Sequence, residues 1–471
     1  MKRKSQGDPS RDTIAAIITP PGEGGLGAIR ISGPGAHSVI ERIFRPAESD
    51  VSAGRMFHLY YGHIVDVNSG VIDEVTMAEM PEGKSYTGQK QAEIFCHGGR
   101  FVLQRILEEI FRFNVRPAEP GEFTRRAFLA GRIDLARAEA VAELVASKTE
   151  YSYSAARKNL LGLLSERIEK LRTRAVELIA EIEASIDFPD EALETAERNR
   201  LVAMIDDMIA DAGELVGSYK AGRIIKEGYR IAITGRPNAG KSSLFNVLLN
   251  QNRALVTPTP GTTRDYLTEW IDLDGVAVSI TDTAGLRSGA GPIEKAGMAS
   301  ALKILKESDR VVWIADISRK SWRKELTADL DEYGSGHSIL MILNKIDKLK
   351  DLDKKKGGKT SFSRRGGTAV PISCKTKAGM GALRRALVGR IRDSMPDLTD
   401  GIVVTSGRHK RKLENFLRSL KRVRKGIERA ISPELAAFEM RQGINEIDEI
   451  TGRIYNEEIL DRIFSRFCVG K

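Results

Sequence analysis

The sequence predicts a multidomain chain, α/β combined with all-α: an N-terminal α+β domain, a helical domain, and a doubly wound, mostly parallel α/β domain inserted into the helical one. Three observations carry this. Residues 13 to 115 mix β-branched runs such as TIAAII and AIRIS with many glycines and an apolar helical stretch from Phe101 to Phe113. From Arg125 to Ser218 the chain turns to Ala, Leu, Ile, Glu and Arg at helical spacing, and it returns to that pattern after Ala382. Between these, YRIAIT, AVSITD, RVVWIAD, SILMILN and TAVPIS alternate with helical segments, as strands and crossover helices of a parallel sheet do. The expected boundaries are 1–124 for the α+β domain, 125–225 and 383–471 for the two parts of the helical domain, and 226–382 for the insertion.

Bulk composition narrows the class. At 471 residues, 41% hydrophobic and 29% charged, the chain has neither disordered nor fibrous bias. No window approaches the roughly 18 uninterrupted apolar residues of a membrane span. The N-terminal MKRKSQGDPSRD leads into no signal-peptide core, so a cytoplasmic location away from membranes is expected. Cys96, Cys374 and Cys468 are far apart and form no CxxC pair, which supports neither a disulfide framework nor a zinc site. The net charge of +10 is compatible with nucleic acid and equally with a plain soluble surface. Gly22 to Gly27 formally fits GxGxxG, but the strand-like AIRIS follows where a dinucleotide site needs a helix, so it reads as a glycine turn. Cys96-His97, without further ligands, reads as structural.

The chemistry-bearing motifs sit in the insertion. Gly235-Arg-Pro-Asn-Ala-Gly-Lys-Ser242 satisfies GxxxxGK[ST] between an expected strand and an expected helix. In such a loop, glycines let backbone N–H groups close on phosphate oxygens, Lys241 brings charge to the β and γ phosphates, and Ser242 offers a hydroxyl to Mg²⁺. Asn238, Ala239, Gly240 and Ser243 complete the expected phosphate contacts. Asn344-Lys345-Ile-Asp347 follows an apolar strand, and the Asp347 carboxylate can accept both N–H protons of guanine's Watson–Crick edge, which selects GTP over ATP. Ser373-Cys374-Lys375 reads as the loop supporting the base from the other side. Asp282-Thr283-Ala284-Gly285 is expected to act on Mg²⁺ through water and on the γ-phosphate, with Thr263 closing onto the metal as a switch. After Gly285 comes Leu286, which cannot orient a nucleophilic water. Glu294 is a candidate carboxylate for that role, although by position alone it reads as an acid in a first helical turn.

Together with TPPGEGGLGAIRISG from Thr19, SYTG from Ser85, AEIFCHGG from Ala92, PGEFTRRAFLAGRIDLARAEAV from Pro120, PGTTRD, DTAGLR and the terminal FCVGK, these motifs make the whole chain resemble the MnmE (TrmE) family of tRNA-modification GTPases. The resemblance implies a tetrahydrofolate derivative (5-formyl or methylene form) bound in the N-terminal domain, a homodimer formed through that domain, and an FAD-dependent partner of the MnmG (GidA) type in a hetero-oligomer. The pair would install an aminomethyl-type group on carbon 5 of the tRNA wobble uridine. It further implies GTP hydrolysis stimulated when two G domains meet across K⁺. Asn238, Thr257, Thr259 and Thr262 match the positions around that ion, Thr257 also counting as a nucleotide contact. Glu294 falls on the family's catalytic glutamate, beside Lys241. Arg30, Glu93, Arg132 and Lys471 match folate contacts, Arg132 standing where the family often has Lys, and Gln89 and Lys90 depart from the usual acidic continuation of SYTG. Cys468 becomes a candidate reactive thiol.

One further segment stands out. From Arg408 to Arg429 ten residues are Lys or Arg and two are Glu. Leu413, Leu417, Leu420, Val423, Ile427 and Ile431 share one helical face, with Arg411, Arg418, Arg422, Lys425 and Arg429 largely opposite. This reads as a solvated helix exterior or as a stripe that contacts RNA phosphates. The competing functional reading is an RNA-binding regulatory GTPase of ribosome assembly without modification chemistry.

Overall fold

The computed structural model describes residues 12–47, 56–187, 195–251, 268–282, 302–334, 336, 338–349, 363–364, 367–395, 401–429 and 432–471. The chain forms two compact units, one of residues 1–142, 159–184 and 437–471, the other of residues 143–158 and 185–436.

In the first unit, seven strands form a mixed sheet: β1 Thr13–Ile17, β2 Gly24–Ser32, β3 Phe44–Pro46, β4 Leu59–Val65, β5 Val71–Met80, β6 Gln91–Gly98 and β7 Val115–Pro117. Their order is β3-β4-β5-β6-β2-β1-β7, with only the β1–β7 pair parallel. Strand alternation sorts the two faces. Ile29, Ile31 and Ile94 pack under helices α1 (Ala36–Ile43) and α2 (Arg100–Phe111) with Ile40, Ile106 and Ile110. Arg30 lies between two of these isoleucines and therefore turns to the other face, where Phe123 and Tyr86 gather with Ile14 and Ala16.

Phe123 belongs to α3 (Glu122–Leu129), which opens at Gly121 with φ of 71°. A Cβ there would lie 2.7 Å from the Phe464 carbonyl oxygen, so the missing side chain permits the approach of α13 (Glu457–Phe464). Phe128, Leu135, Leu460, Phe464 and Phe467 form the shared core. The C-terminus is pinned beside it: Gly121 N–H donates to the Cys468 carbonyl and Phe123 N–H to that of Lys471. Gly470, at φ of 97°, passes so close to β1 that a Cβ would meet the Ile17 oxygen at 2.4 Å. The expected boundary at 124/125 thus falls inside α3, because one amphipathic helix serves both the sheet and the helices behind it. Helices α4 (Leu135–Ala146) and α6 (Leu163–Asp187) lie largely in this unit, whereas α5 (Glu150–Leu160) and α7 (Thr195–Glu227) belong largely to the second.

The second unit holds the doubly wound sheet. Its strands are β8 Tyr229–Thr234, β9 Thr268–Leu273, β10 Val276–Asp282, β11 Arg310–Asp316, β12 Ile339–Asn344 and β15 Val370–Pro371, all parallel except β9. Their order is β15-β12-β11-β8-β10-β9. Strands buried on both faces read as continuous apolar runs. Ile231, Ile233, Val312 and Ile314 pack toward α8 (Lys241–Gln251) and α10 (Met380–Asp393), whereas Ala232, Val311 and Trp313 pack toward α9 (Trp322–Tyr333). Met380, Leu383, Leu387 and Ile391 of α10 belong to the same core as the sheet. The expected boundary at 382/383 therefore cuts a helix of the inserted domain, and the domain runs on to Asp393. The helical spacing of residues 380–393 was visible in the sequence, but not which core it joins. Two short strands, β13 Ser363–Arg364 and β14 Gly367–Thr368, pair antiparallel.

Helix α11 (Gly407–Glu428) packs along α7 in this unit, burying Leu413, Phe416, Leu420, Val423 and Ile427. Helix α12 (Pro433–Thr451) precedes α13. Among the described residues, no helix is long and apolar enough to cross a membrane. Truncating Phe416, which is 0% exposed, to Ala is expected to cost about 3–5 kcal/mol. Urea unfolding followed by circular dichroism checks this, and an unchanged midpoint would contradict the packing.

Candidate functional site: the phosphate loop and its base-recognition loops

The loop from Gly235 to Ser242 joins β8 to α8, with its backbone in conformations L side chains rarely adopt. Gly235 has φ of 146°, Asn238 of 61° and Gly240 of 105°. A Cβ on Gly235 would sit 2.2 Å from the Ile314 oxygen, and one on Gly240 would sit 2.2 Å from Asn344 Nδ2. The two glycines thus let the loop lie against β11 and against the residue ending β12. Lys241 is buried and its Nζ donates to the Arg236 carbonyl at 2.9 Å, closing the loop on itself. Ser242 and Ser243 open the helix with exposed side chains.

Asn344 ties three pieces together. Its Nδ2 donates to the Ala239 carbonyl at 2.8 Å, and its Oδ1 accepts from the Cys374 N–H at 3.1 Å. Lys345, at φ of 70°, stretches its Nζ to the Asn238 carbonyl at 2.7 Å and to Asp316 Oδ2 at 2.6 Å. Asp347 Oδ1 accepts from Ser373 Oγ at 2.6 Å, and that hydroxyl also accepts from the Thr376 N–H. Lys375 is exposed beside them. The structure thus brings the three separate motifs into one constellation.

Electrostatics follow from these bonds. The Ser373 hydroxyl, outweighing partial burial, holds the Asp347 carboxyl below its usual value. Burial pushes the Asp316 carboxyl up, but hydrogen bonds from Lys345 and Ser318 outweigh it and the net direction is down. Burial, with the Asp347 charge nearby, pushes the Cys374 thiol up to about 11, so this cysteine supports the base loop through its backbone and not as a thiolate. Asp316 was not singled out in the sequence. No motif marks it: its place at the end of β11, directly opposite Asn344 on β12, exists only once the sheet has formed.

Ser242 Oγ donates to Asp282 Oδ2 at 2.9 Å. Two hard oxygen donors at the mouth of the phosphate loop suit Mg²⁺, which binds through few protein ligands and keeps water. Thr283, Ala284, Gly285 and Glu294, and likewise Thr257, Thr259, Thr262 and Thr263, lie outside the described residues.

In the first unit, Arg30 Nε donates to Glu93 Oε1 at 2.9 Å, the two standing directly opposite on β2 and β6. The Arg30 guanidinium also lies over the rings of Tyr86 and Phe123, 5.1 and 5.4 Å from their centroids. Glu93 Oε1 accepts from Gln91 as well. Arg30 is therefore not an independent cation, since Glu93 neutralises it. Arg132 is exposed and donates to the Gly83 carbonyl, and Gly88 of the SYTG loop packs on Ala130 and Arg132. Lys471 meets Phe123 through its carbonyl. Gln89 is a structural residue, because its Oε1 accepts from buried Arg126 at 2.9 Å and from Ser32. A cavity of about 750 Å³ beside α3 and α6, lined by Phe128, Asp134, Ser165, Glu166 and Tyr455 among others, includes none of the four folate candidates. The Cys96 thiol is buried and pushed up to about 11, first by burial and then by Asp73, and His97 pairs with Asp73 at 2.7 Å. Cys468 is exposed.

A strand, a phosphate loop and a helix, with an Asn-Lys-x-Asp loop and a Ser-Cys-Lys loop converging on it in a doubly wound sheet, define a P-loop GTPase. The flanks decide which kind. Residues 13–132 match the GTP-binding protein TrmE N-terminus, and residues 135–468 match the MnmE helical domain. Proteins named tRNA modification GTPase MnmE are similar over nearly their whole length. That of Symbiobacterium thermophilum is 39% identical over 469 residues, and that of Carboxydothermus hydrogenoformans 38% over 472, each alignment covering 98% of this chain and 99% of the relative. The chain belongs to the MnmE (TrmE) family of tRNA-modification GTPases.

Two outcomes follow from the geometry. Gly240→Ala is expected to weaken GDP binding at least tenfold without loss of helix content, read by fluorescent-nucleotide titration and circular dichroism, because the added Cβ collides with Asn344. Asp347 is held below its usual value, so the recognising anion persists as pH falls and is lost only below that lowered value. Ser373→Ala removes the largest cause, and its GDP affinity should decline at a higher pH than wild type in a titration from pH 7 to about 4. Coincident profiles would refute the assignment.

Proposed function

We propose that this chain is a K⁺-stimulated GTPase that, with an FAD-dependent partner of the MnmG type, carries out folate-dependent aminomethyl-type modification of carbon 5 of the tRNA wobble uridine. The observation that carries the reading is family membership over the whole length, together with an intact guanine site.

Within the G domain, Lys241 supplies positive charge to the β and γ phosphates, and Asp347 accepts guanine's N–H protons. Ser242, Asp282 and Thr263 would hold Mg²⁺, which neutralises charge developing between the phosphates. Asn238 is exposed at the loop's tip, in a left-handed conformation that the Lys345 bond to its carbonyl supports. With Thr257, Thr259 and Thr262 it would offer hard oxygens to K⁺, which supplies positive charge beside the transferring phosphoryl group where two G domains meet. Leu286 offers no hydrogen bond to water, so Glu294 orients the attacking water in its place.

In the N-terminal domain, the Arg30–Glu93 pair on its aromatic bed presents a carboxylate for the donors of a pterin ring. Arg132 and Lys471, each cationic and not engaged with Glu93, suit the anionic tail of a tetrahydrofolate. Cys468 adjoins this region through the pinned C-terminus and remains a candidate thiol. Homodimer formation through this domain belongs to the same proposal.

GTP hydrolysis measured at matched ionic strength in KCl and NaCl tests the cation, since screening is then equal. Strong K⁺ stimulation that disappears in Asn238→Ala, with low turnover in Glu294→Ala, is expected; equal rates in the two salts would sink the K⁺ mechanism while leaving the GTPase. Binding of 5-formyltetrahydrofolate, followed by calorimetry, should fall at least tenfold in Glu93→Ala, and unaltered affinity would remove that residue from the site. Thiol titration of the native protein at pH 8 should label Cys468 fast, with Cys96 and Cys374 protected by burial and protonation.

A further inference from the structure

Helix α11 carries charge out of proportion to its length. From Arg408 to Arg429, ten Lys or Arg stand against two Glu, a net of +8, while the whole chain carries +10. The remaining 449 residues are thus nearly neutral in sum, and the excess positive charge of the protein is concentrated in one helical stretch.

That charge is also sorted by direction. At about 100° per residue, Arg411, Arg418, Arg422, Lys425 and Arg429 fall within a wedge of roughly 60°. All five are exposed. The buried set, His409, Leu413, Phe416, Leu420, Val423 and Ile427, lies on the opposite side, packed toward α7. The acids do not share the wedge's centre. Glu428 pairs with Arg424, which also reaches Asp206 of α7, and Glu414 pairs with Lys410, so these ion pairs lie along the flanks of the helix. From Arg411 to Arg429 the stripe is about 27 Å long at roughly 1.5 Å per residue.

A helix needs only a polar outer face to remain soluble, and mixed signs would serve that purpose better, because like charges at i and i+4 repel. Arg418 and Arg422, and Lys425 and Arg429, are both such pairs. A row of exposed cations fits a polyanion whose charges are also in a row. We propose that the outer stripe of α11 is the surface on which the phosphate backbone of tRNA lies. Four arginines and one lysine suit such a surface, since the guanidinium fork matches phosphate oxygens. Contacts of this kind position the RNA without reading its sequence, leaving recognition of the modified base to other parts of the assembly. This inference rests on the tRNA reading of the preceding section.

The test is tRNA binding by the full chain as a function of salt, using an unmodified tRNA transcript and fluorescence anisotropy. The triple variant Arg418→Gln, Arg422→Gln, Lys425→Gln is compared with wild type and with a control triple, Lys306→Gln, Lys320→Gln, Lys324→Gln, which removes equal charge from other exposed positions. The stripe variant is expected to bind at least tenfold more weakly at about 0.1 M salt, with the slope of log affinity against log salt reduced by about 2 to 3. The control should stay within threefold of wild type. Arg418→Lys with Arg422→Lys keeps the charges and should keep the slope, which separates phosphate contact from damage to the helix; RNA-free GTP hydrolysis should be unchanged in every variant. Equal weakening in both triples would reduce the effect to net charge and overturn the proposal, as would wild-type affinity in the stripe variant. Wild-type protein that binds no tRNA at any salt would overturn the tRNA reading itself, a result distinguishable from either of these.

Discussion

The contact between Gly240 and Asn344 is the constraint on which the guanine site depends. Asn344 must come close enough to the phosphate loop for its amide to reach the Ala239 carbonyl, and only a residue without Cβ leaves that room. The same amide holds the Cys374 N–H, so one side chain sets the distance between the loop that cradles phosphate and the loop that flanks the base. Lys345 adds a second tie across the loop to Asn238, anchored from behind by Asp316. A buried amide with both ends satisfied is worth more than its two bonds, because breaking either leaves a polar group unpaired in the interior. The phosphate loop and the two loops that flank it are thereby tied together by one set of hydrogen bonds.

The first unit uses a different device for a similar end. Strand alternation sends Ile29 and Ile31 into the core and Arg30 to the opposite face, where the directly facing Glu93 meets it. Half-buried ion pairs gain from additional partners, and this one has them in two aromatic rings and Gln91. Phe123, one of those rings, is also where the last residue of the chain is tied down. Residues separated by more than three hundred positions are gathered around a single aromatic side chain, and the glycines at 121 and 470 are what let the backbones approach.

The two regions therefore rest on unlike physics. The guanine site is a lattice of backbone and amide hydrogen bonds built on strand ends, while the Arg30 region is a charged pair on an aromatic floor at a sheet face. Helix α11 belongs to neither: its inner face is ordinary packing against α7, its outer face carries a stripe of five cations, and the stretch from Arg408 to Arg429 nets +8 of the chain's +10.

The sequence by itself determined the class and the actors. GxxxxGKS after an apolar strand, NKID after another, and SCK after a third are local patterns whose chemistry is set by residue type and spacing, so they were legible without coordinates. The helical and strand-rich regions were legible for the same reason, since hydrophobic period is a local property. Three things were decided only by tertiary structure. Domain edges at 124 and 382 fell inside α3 and α10, because periodicity shows that a helix is amphipathic but not which core receives its apolar face. The pairing of Arg30 with Glu93 follows from the sheet register, which no local pattern in the sequence shows. Asp316, which no motif marks, took its role from the parallel pairing of β11 with β12, a contact between residues that are distant in sequence and adjacent only once the sheet has formed.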